Sequence, residues 1–328
     1  CSSDLLRPLK FHPILKQTLW GGERIIPYKE LASGLSRVGE SWELSGMPGS
    51  ESVVAEGPWA GSTLSELIGR FGAELLGKAN YARFGQEFPL LVKFIDARED
   101  LSIQVHPDDE LARKRHGKSG KCEMWYVLEA EPGASLLTGF SRPIAPAEYE
   151  RRVADNTLTD VLNRQAIASG DVFYLPAGRV HSIGKGSFIV EIQQSSDITY
   201  RIYDFDRRDA AGNSRELHTE LAREAIDFES SENSRITYAP ENNQEVRLVT
   251  TPYFTTSLYT LTARTRCDWS ATDSFVAIVL LQGSGSLTDN EGNRIDVRQG
   301  ETWLLPASTQ WTEITPHTAP LRLLTSRI

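Results

Sequence analysis

The chain has 328 residues, of which 40% are hydrophobic and 24% are charged, a composition ordinary for a globular protein with room for two domains. Its formal net charge of −9 argues against nucleic acid or an anionic membrane as the main partner. We therefore expect neither of these as a partner, although a local basic pocket for a small anion stays compatible with the charge.

The three cysteines of the chain are Cys1, Cys122 and Cys267, and no two of them form a CxxC pair. This pattern predicts neither a disulfide framework nor a thiolate zinc site, so a reducing cytoplasm is the simplest location. No apolar run approaches the roughly 20 residues that span a bilayer, and no signal peptide is visible. We interpret the start at Cys1 as a trimmed terminus, with a processed, lipid-bearing cysteine as the alternative.

The first elements are short strand-like pieces at residues 20–22 and 39–45, separated by turn residues. The pattern changes after Ser62, where a helix-capping residue precedes apolar side chains at helical spacing. This change predicts a small helical insertion at about 62–80. Strand-like sequence resumes at 88–95.

A strand that ends at His106 alternates between polar and apolar residues, so Ser102 and Gln104 share its face with His106. A second strand, rich in aromatic and branched residues, begins at Glu123. Lys121 then points the same way as Glu123. An imidazole, a carboxamide and a carboxylate are thus placed on strand-like segments that end in turns.

A third stretch, residues 170–178, is typical of a turn, a strand and a second turn, and His181 follows where the next strand would begin. A second helical insertion is predicted before it, at about 146–164, with Pro146 at its start. Two imidazoles, a carboxylate and a carboxamide can therefore converge inside a β-barrel as one metal site.

The chain then repeats itself. Residues 170–177 match a segment 130 positions later, which puts Trp311 where the first copy has His181. A second comparison puts Phe275 where the first copy has Glu123. The second copy keeps the barrel pattern and lacks the ligands, so the barrel alone does not require His or Glu at these positions.

These observations predict two domains. Residues 1–228 would form a metal-binding catalytic domain, and a segment rich in Ser, Glu and Asn at 229–240 would be a linker. Residues 241–328 would form a second barrel without metal ligands, packed on the first and stabilising it.

A barrel whose strands present Gln-x-His, then Glu, then His after a Pro-Ala-Gly turn resembles the cupins. More narrowly, the chain is similar to the type I mannose-6-phosphate isomerases in their compact bacterial form. The motifs that carry this resemblance are residues 20–22, 39–42, 101–107, 121–126, 176–181 and 197–201. The implied fold is all-β with small helical insertions, arranged as two cupin-type jelly-roll β-barrels.

The resemblance implies reversible conversion of mannose 6-phosphate to fructose 6-phosphate through an enediol. It also implies one zinc ion per chain, bound by Gln104, His106, Glu123 and His181. A divalent cation stabilises the negative charge that develops on oxygen in such a reaction. The ligand types alone suit non-haem iron as well as zinc, and Gln104 could instead hydrogen-bond a ligand imidazole.

Further roles follow from the same resemblance. Arg201 is the predicted cationic partner of the enediolate, and Asp197 either orients that arginine or relays a proton. Lys121 is a predicted proton carrier, and Lys93 matches a family lysine in the same cleft. Ser102 is a predicted donor to the phosphate, so substrate binding is assigned to Ser102, Lys121 and Arg201. The residues that hold the phosphate are the least specified part of this assignment.

Two other functions would keep the barrel. A non-haem iron oxygenase would use two His and one Glu as an iron triad, and a sugar-binding or regulatory cupin would bind its ligand without catalysis. The basic run at 113–118 is interpreted as a solvated loop, with attraction of a phosphate group as the alternative. The remaining histidines are interpreted as structural: His12, His116, His218 and His317.

Overall fold

The fold is known from a computed structural model, which describes residues 6–229 and 233–328. Cys1 and residues 230–232 of the expected linker lie outside the described residues. No helix within the described ranges is long and apolar enough to cross a membrane.

The first part of the chain alternates short helices with strands. In chain order the elements are β1 Leu9–Lys10, β2 Ile14–Gly22, α1 Ile25–Tyr28, β3 Val38–Leu44, β4 Gly46–Met47, β5 Ser50–Glu51, α2 Leu64–Phe71, α3 Ala73–Leu76, α4 Lys78–Phe84, β6 Leu90–Ala97, β7 Ile103–Val105, α5 Asp109–His116, β8 Glu123–Ala130, β9 Ser135–Phe140, α6 Pro146–Ala154, a 3₁₀ helix at Leu158–Val161, β10 Leu162–Ala166, β11 Val172–Leu175, β12 His181–Ile183, β13 Ser187–Gln194, β14 Tyr200–Tyr203, α7 Thr219–Ala225 and β15 Arg235–Ile236.

The last part contains strands. They are β16 Val246–Thr250, β17 Thr255–Leu261, β18 Thr265–Asp268, β19 Val276–Gln282, β20 Ser284–Asp289, β21 Arg294–Arg298, β22 Thr302–Leu305, β23 Trp311–Pro316 and β24 Leu321–Arg327.

Two facing antiparallel sheets form the N-terminal sandwich. The larger sheet has the order β15-β11-β8-β13-β6-β2-β3, and the smaller has the order β10-β9-β12-β7-β14. Apolar side chains such as Trp20, Ile95, Trp125 and Ile183 pack between them. The predicted all-β class with helical insertions is confirmed, and the sheets of this jelly-roll architecture stay open at their edges instead of closing into a barrel.

The C-terminal sandwich repeats this arrangement. A six-stranded sheet of order β1-β22-β19-β24-β17-β16 faces a four-stranded sheet of order β18-β23-β20-β21. Its interior is filled by apolar side chains, among them Trp269, Ile278 and Trp303. Burial of this apolar surface supplies the driving force for its folding, so metal ligands are not needed for its stability.

The two sandwiches share a core. Alternation along β8 sends Glu123 and Trp125 into the N-terminal sandwich, whereas Met124 and Tyr126 point out of its far side. Met124 and Tyr126 belong to an apolar cluster that also contains Leu304 of the six-stranded sheet. The larger sheet is therefore buried on both faces, one face toward the candidate site and one toward the other sandwich.

Two short strands bear on the predicted domain limits: one belongs to the predicted first domain and the other to the predicted linker. Leu9–Lys10 pairs with β22 of the C-terminal sandwich, and Arg235–Ile236 pairs with β11 of the N-terminal one. The division into residues 1–228 and 241–328 stays a prediction. An N-terminal strand belongs to a sheet of the C-terminal sandwich, and a strand from the predicted linker belongs to a sheet of the N-terminal sandwich.

The internal repeat is confirmed by the strand positions. β12 begins at His181 and β23 begins at Trp311, as the sequence match requires. The second comparison is wrong by one residue, because Glu123 pairs with Leu175 while Val276, not Phe275, pairs with Leu305. A single-residue slip reverses the face of a strand, so Val276 is the apolar counterpart of Glu123.

The first helical insertion is present and extends from α2 to α4. Thr63 caps it, since its side chain accepts from Glu66 N and the Glu66 carboxylate accepts from Thr63 N. The second insertion is shorter than predicted. Its α-helix ends at Ala154, because Asn156 adopts a left-handed φ of 55° that stops the helix. Residues 162–166 then form a strand.

The basic run predicted as a loop lies mostly in a helix. α5 is capped by Asp108, whose side chain accepts from Leu111 N, and it ends at Gly117 with a φ of 65°. The sequence interpretation missed this helix because its cap, not an apolar stripe, marks its start.

The shared core yields a stability prediction. Phe275 and Phe88 are buried, and their ring centroids lie 4.8 Å apart. We expect Phe275→Ala to lower the free energy of unfolding by about 3–5 kcal/mol, because it removes buried apolar surface and leaves a cavity. Denaturant unfolding measures this change, with exposed Leu35→Ala as the control. A loss below about 1 kcal/mol would contradict the role assigned to this contact.

Candidate metal and substrate site

Three potential metal ligands meet between the two N-terminal sheets. His106 follows β7, Glu123 begins β8 and His181 begins β12, and their ligand atoms all lie within 4.8 Å of one another. All three side chains are buried. Strand pairing thus brings together groups that are up to 75 positions apart in the chain.

Both imidazoles are oriented by backbone carbonyls. His106 Nδ1 lies 2.8 Å from Ile198 O, and His181 Nδ1 lies 2.8 Å from Arg179 O. With Nδ1 donating, each Nε2 lone pair is free to face the cluster. Burial, followed by the nearby Lys121 ammonium, holds the pKa of His106 well below its usual value. This ring is therefore neutral, the form that binds a metal ion.

Glu123 carries the negative charge of the cluster. Burial on its own would raise the pKa of this carboxyl, but Lys121, His181 and His106 outweigh it and lower the pKa well below its ordinary value. Lys121 Nζ lies 2.8 Å from Glu123 Oε2 and 3.2 Å from His106 Nε2. Even so, neither carboxylate oxygen receives a well-directed hydrogen bond from the described part of the chain.

These observations fit a divalent metal ion. The Nε2 atoms of His106 and His181 lie 3.5 and 3.1 Å from the oxygens of a buried carboxylate that lacks directed donors. A cation at this point would satisfy all three groups at once. The nitrogen and oxygen donor set suits both zinc and iron.

Gln104 lies beside the cluster. It pairs with His181 across β7 and β12, and its Nε2 is 3.4 Å from His181 Nε2, while Ser102 Oγ donates to its Oε1 at 3.2 Å. Rotating the carboxamide by 180° exchanges its two atoms and would turn the oxygen toward the imidazole. Ser102 is thereby placed next to Gln104, and its hydroxyl is directed at that side chain.

A buried ion pair extends the site along the larger sheet. Lys93 Nζ lies 3.1 Å from Glu191 Oε1, and Trp125 Nε1 donates to Glu191 Oε2 at 2.9 Å. The Trp125 ring meets the His181 ring edge-on, with centroids 5.4 Å apart. Burial alone would lower the pKa of Lys93, but the carboxylates of Glu40 and Glu191 raise it above its ordinary value.

The sequence interpretation did not include Glu191. Its signal was a single carboxylate in the otherwise mostly apolar run of β13, at an inward position shared with Ile189 and Gln193. The inward position of Glu191 can be inferred only once β13 is known to pair with both β6 and β8.

Arg201 and Asp197 are placed apart from each other. Arg201 pairs with Gln104 across β14 and β7, and its Nη1 donates to Glu216 O at 2.9 Å. Burial, followed by the guanidinium of Arg215, lowers its pKa. Asp197 lies at the surface, where its half-exposed carboxylate pairs with Lys118 at 3.1 Å. The structure therefore places Arg201 beside Gln104 on the neighbouring strand, whereas the carboxylate of Asp197 lies at the surface and is not part of the ligand cluster.

Comparison with known proteins agrees with this geometry. Residues 9–136 match the family model for the type I phosphomannose isomerase catalytic domain. A probable mannose-6-phosphate isomerase of Bacillus subtilis is 34% identical over 92% of this chain and 94% of its own length. The chain belongs to the type I mannose-6-phosphate isomerase family. The resemblance read from its motifs is confirmed.

Two further relatives of the family cover nearly the whole chain. The mannose-6-phosphate isomerase of Streptococcus mutans is 33% identical over 92% of this chain and 93% of its own length. The crystal structure of the mannose 6-phosphate isomerase of Bacillus subtilis superposes with a TM-score of 0.88, at 30% identity, over 98% of this chain and 100% of that one. The superposition therefore includes both sandwiches of this chain.

The ligand cluster can be tested by its metal content. We expect His181→Ala to weaken metal binding by at least about 100-fold, because one of three convergent donors is removed from a buried site. Elemental analysis after dialysis measures the bound metal. His12→Ala, at an exposed histidine, is the matched control and should retain one ion per chain. Full metal content in the His181 variant would refute the assignment.

The Lys93–Glu191 pair generates a second prediction. Lys93→Met should lower the free energy of unfolding by about 3–5 kcal/mol, because Glu191 is left buried and unpaired. The double variant Lys93→Met/Glu191→Leu should recover at least half of that loss. Lys118→Met, which breaks the half-exposed pair with Asp197, should change the stability by less than about 1 kcal/mol in the same denaturant titration. Equal losses in the two single variants would contradict the buried pairing.

Proposed function

We propose that this chain interconverts mannose 6-phosphate and fructose 6-phosphate as a metal-dependent aldose-ketose isomerase. The observation that carries this proposal is the buried His106–Glu123–His181 cluster beside Lys121, in a chain of the isomerase family. The metal is proposed to be Zn²⁺, bound by His106, Glu123, His181 and the rotated carboxamide of Gln104.

The reaction removes a proton from C2 of the aldose and delivers one to C1, through an enediol. The bound cation supplies positive charge that stabilises negative charge on the substrate oxygens. Arg201, whose guanidinium stays charged at any working pH, adds a second positive charge from the opposite edge of β7. Both charges lower the barrier because they are fixed in place before the proton moves.

Lys121 is assigned the proton transfer. Its ammonium lies among the ligand atoms, within 2.8 Å of Glu123 and 3.2 Å of His106, so it is close to any sugar oxygen held there. Lys93 has a different role. Since Glu40 and Glu191 raise its pKa, Lys93 stays protonated and acts as a hydrogen-bond donor to the substrate, not as a base.

The roles of the two remaining predicted residues are narrower. Ser102 orients the carboxamide of Gln104 and lies one inward position from it along the strand. Asp197 is a rim charge, held by Lys118 at the surface. A proton relay through Asp197 would require its carboxylate to leave that ion pair.

We infer a cytoplasmic location from the phosphorylated substrate and from the cysteines. Cys122 and Cys267 are both buried free thiols, which suits a reducing compartment. The expectation that nucleic acid and membranes are not partners depends on the net charge and stays a prediction.

The activity test uses the purified protein. Supplied with mannose 6-phosphate, it should form fructose 6-phosphate, and a chelator should abolish turnover until Zn²⁺ is added back. Oxygen uptake that depends on added iron, without isomerisation, would favour the iron oxygenase instead. Sugar-phosphate binding without turnover would favour a non-catalytic cupin.

Two variants test the assigned roles. Lys121→Gln and Arg201→Gln should each lower kcat by about 10²–10⁴-fold while retaining the metal, because proton transfer and charge stabilisation are lost but the ligands remain. His12→Ala serves again as the control with unchanged kcat. Unchanged turnover in either variant would show that its role is assigned wrongly.

A further inference from the structure

Lys121 belongs to a short loop, residues 117–122, that joins α5 to β8. Its ammonium lies 2.8 Å from Glu123 Oε2 and 3.2 Å from His106 Nε2. A loop holds a functional side chain less precisely than a helix or a strand does, unless further contacts fix its backbone. The position of the Lys121 ammonium therefore depends on what binds the main chain on each side of this residue.

The backbone on either side of Lys121 is bound by two side chains. Gly120 N, one residue before it, donates to Asp109 Oδ1 at 2.8 Å. Cys122 N, one residue after it, donates to Gln194 Oε1 at 2.9 Å. The two side chains are joined to each other, because Gln194 Nε2 donates to Asp109 Oδ1 at 3.1 Å. Asp109 and Gln194 are named here the loop clamp, which connects the start of α5 to the end of β13.

Close packing of the main chain supports the same arrangement. Gly120 lies against the start of α5, where a β-carbon at this position would come within 2.6 Å of Asp109 N. Such an approach between two backbone segments requires glycine. Lys121 N also donates to Pro107 O at 3.1 Å. Since Pro107 directly follows His106, the loop is bound to the chain segment that carries a predicted metal ligand.

The loop clamp lies outside the interior of the N-terminal sandwich. Gln193 pairs with the inward residue Glu123, so alternation along β13 directs Gln194 to the outward face. Both clamp residues line a cavity of about 560 Å³ on this outer side, together with Ser195. They are separated from the ligand cluster by the strands, and they act on it through the backbone that they bind.

We propose that Asp109 and Gln194 are positioning residues for the isomerisation, because they hold residues 120–122 so that the Lys121 ammonium stays at the ligand cluster. The inference rests on the proposed function, in which Lys121 transfers the proton. A displacement of about 1 Å in such a group can lower a rate by about 100-fold. Asp109 is also an acidic residue in the first turn of α5, where it stabilises the helix, so the test must separate these two roles.

Replacement of Asp109 tests the loop clamp. Asp109→Ala should lower kcat by about 10–100-fold, with the KM for mannose 6-phosphate within about threefold of the wild type, because the proton carrier moves while the metal ligands stay. Its metal content should be unchanged. Asp109→Asn keeps an acceptor oxygen and should restore kcat to within about threefold of the wild type. Glu110→Ala removes an exposed carboxylate from the same helical turn and should leave both constants unchanged.

Gln194 provides a second, independent variant. Gln194→Met retains most of the side-chain volume but removes both side-chain hydrogen bonds, so it should lower kcat as Asp109→Ala does. The double variant should lose no more than about threefold beyond the worse single variant, because both residues hold the same segment. Losses that multiply would contradict a shared role. Circular dichroism checks that each variant is folded, and Gln194→Met decides the matter if Asp109→Ala is not.

Amide hydrogen exchange provides a readout that does not depend on turnover. Measured by mass spectrometry, exchange in residues 118–123 should be at least about 10-fold faster in Asp109→Ala and in Gln194→Met than in the wild type, because the bound N–H groups are released. Exchange in Glu110→Ala should match the wild type.

The outcomes separate the two proposals. Should the wild type form no fructose 6-phosphate, the proposed function fails, and the exchange rates alone decide whether the loop clamp holds the backbone around Lys121. Should the wild type be active while Asp109→Ala and Gln194→Met match Glu110→Ala in kcat, the positioning role fails and the isomerase proposal stands. The same conclusion follows if Asp109→Asn loses as much kcat as Asp109→Ala.

Discussion

The carboxylate of Glu123 is completely buried, and the polar groups at the ends of the neighbouring strands are positioned by their contacts with it. Removing a carboxylate from water costs several kcal/mol unless opposite charge and hydrogen-bond donors replace the lost hydration. Lys121 supplies the opposite charge, at 2.8 Å from Glu123 Oε2, and a cation bound between the carboxylate and the two imidazoles would supply the rest. Backbone carbonyls of Ile198 and Arg179 in turn fix the orientation of both imidazoles. The buried carboxylate is therefore linked to the backbone of neighbouring segments through these hydrogen bonds.

The contrast between the two sandwiches shows what this constraint adds. The C-terminal copy has Val276 at the position of Glu123 and Trp311 at the position of His181, and its interior is apolar. The same topology is therefore built without a carboxylate or an imidazole at these two positions. Burying the ligand cluster lowers the stability of the first sandwich, and the apolar surface buried in the core shared with the second sandwich helps to offset that loss.

Much of the site could be predicted because period-two alternation fixes the face of each strand. That rule placed Gln104 with His106, and Glu123 with Lys121, correctly on inward faces. Glu191 could not be found this way, because its contacts depend on the pairing of β13 with distant strands. The same limit explains the one-residue error at Phe275, since apolar runs do not specify register. The metal cannot be identified from its ligands, because imidazole and carboxylate suit several ions.

The pairing of Leu9–Lys10 with the strand Thr302–Leu305 has a consequence for synthesis. On the ribosome, the edge of the six-stranded sheet cannot be completed until almost the whole chain has emerged. The ligand cluster needs only strands that end by residue 203, so its sheets can form much earlier. Until the later strands arrive, the outward face with Met124 and Tyr126 lacks its cover, so the nascent chain is exposed to aggregation and to chaperone binding during that interval.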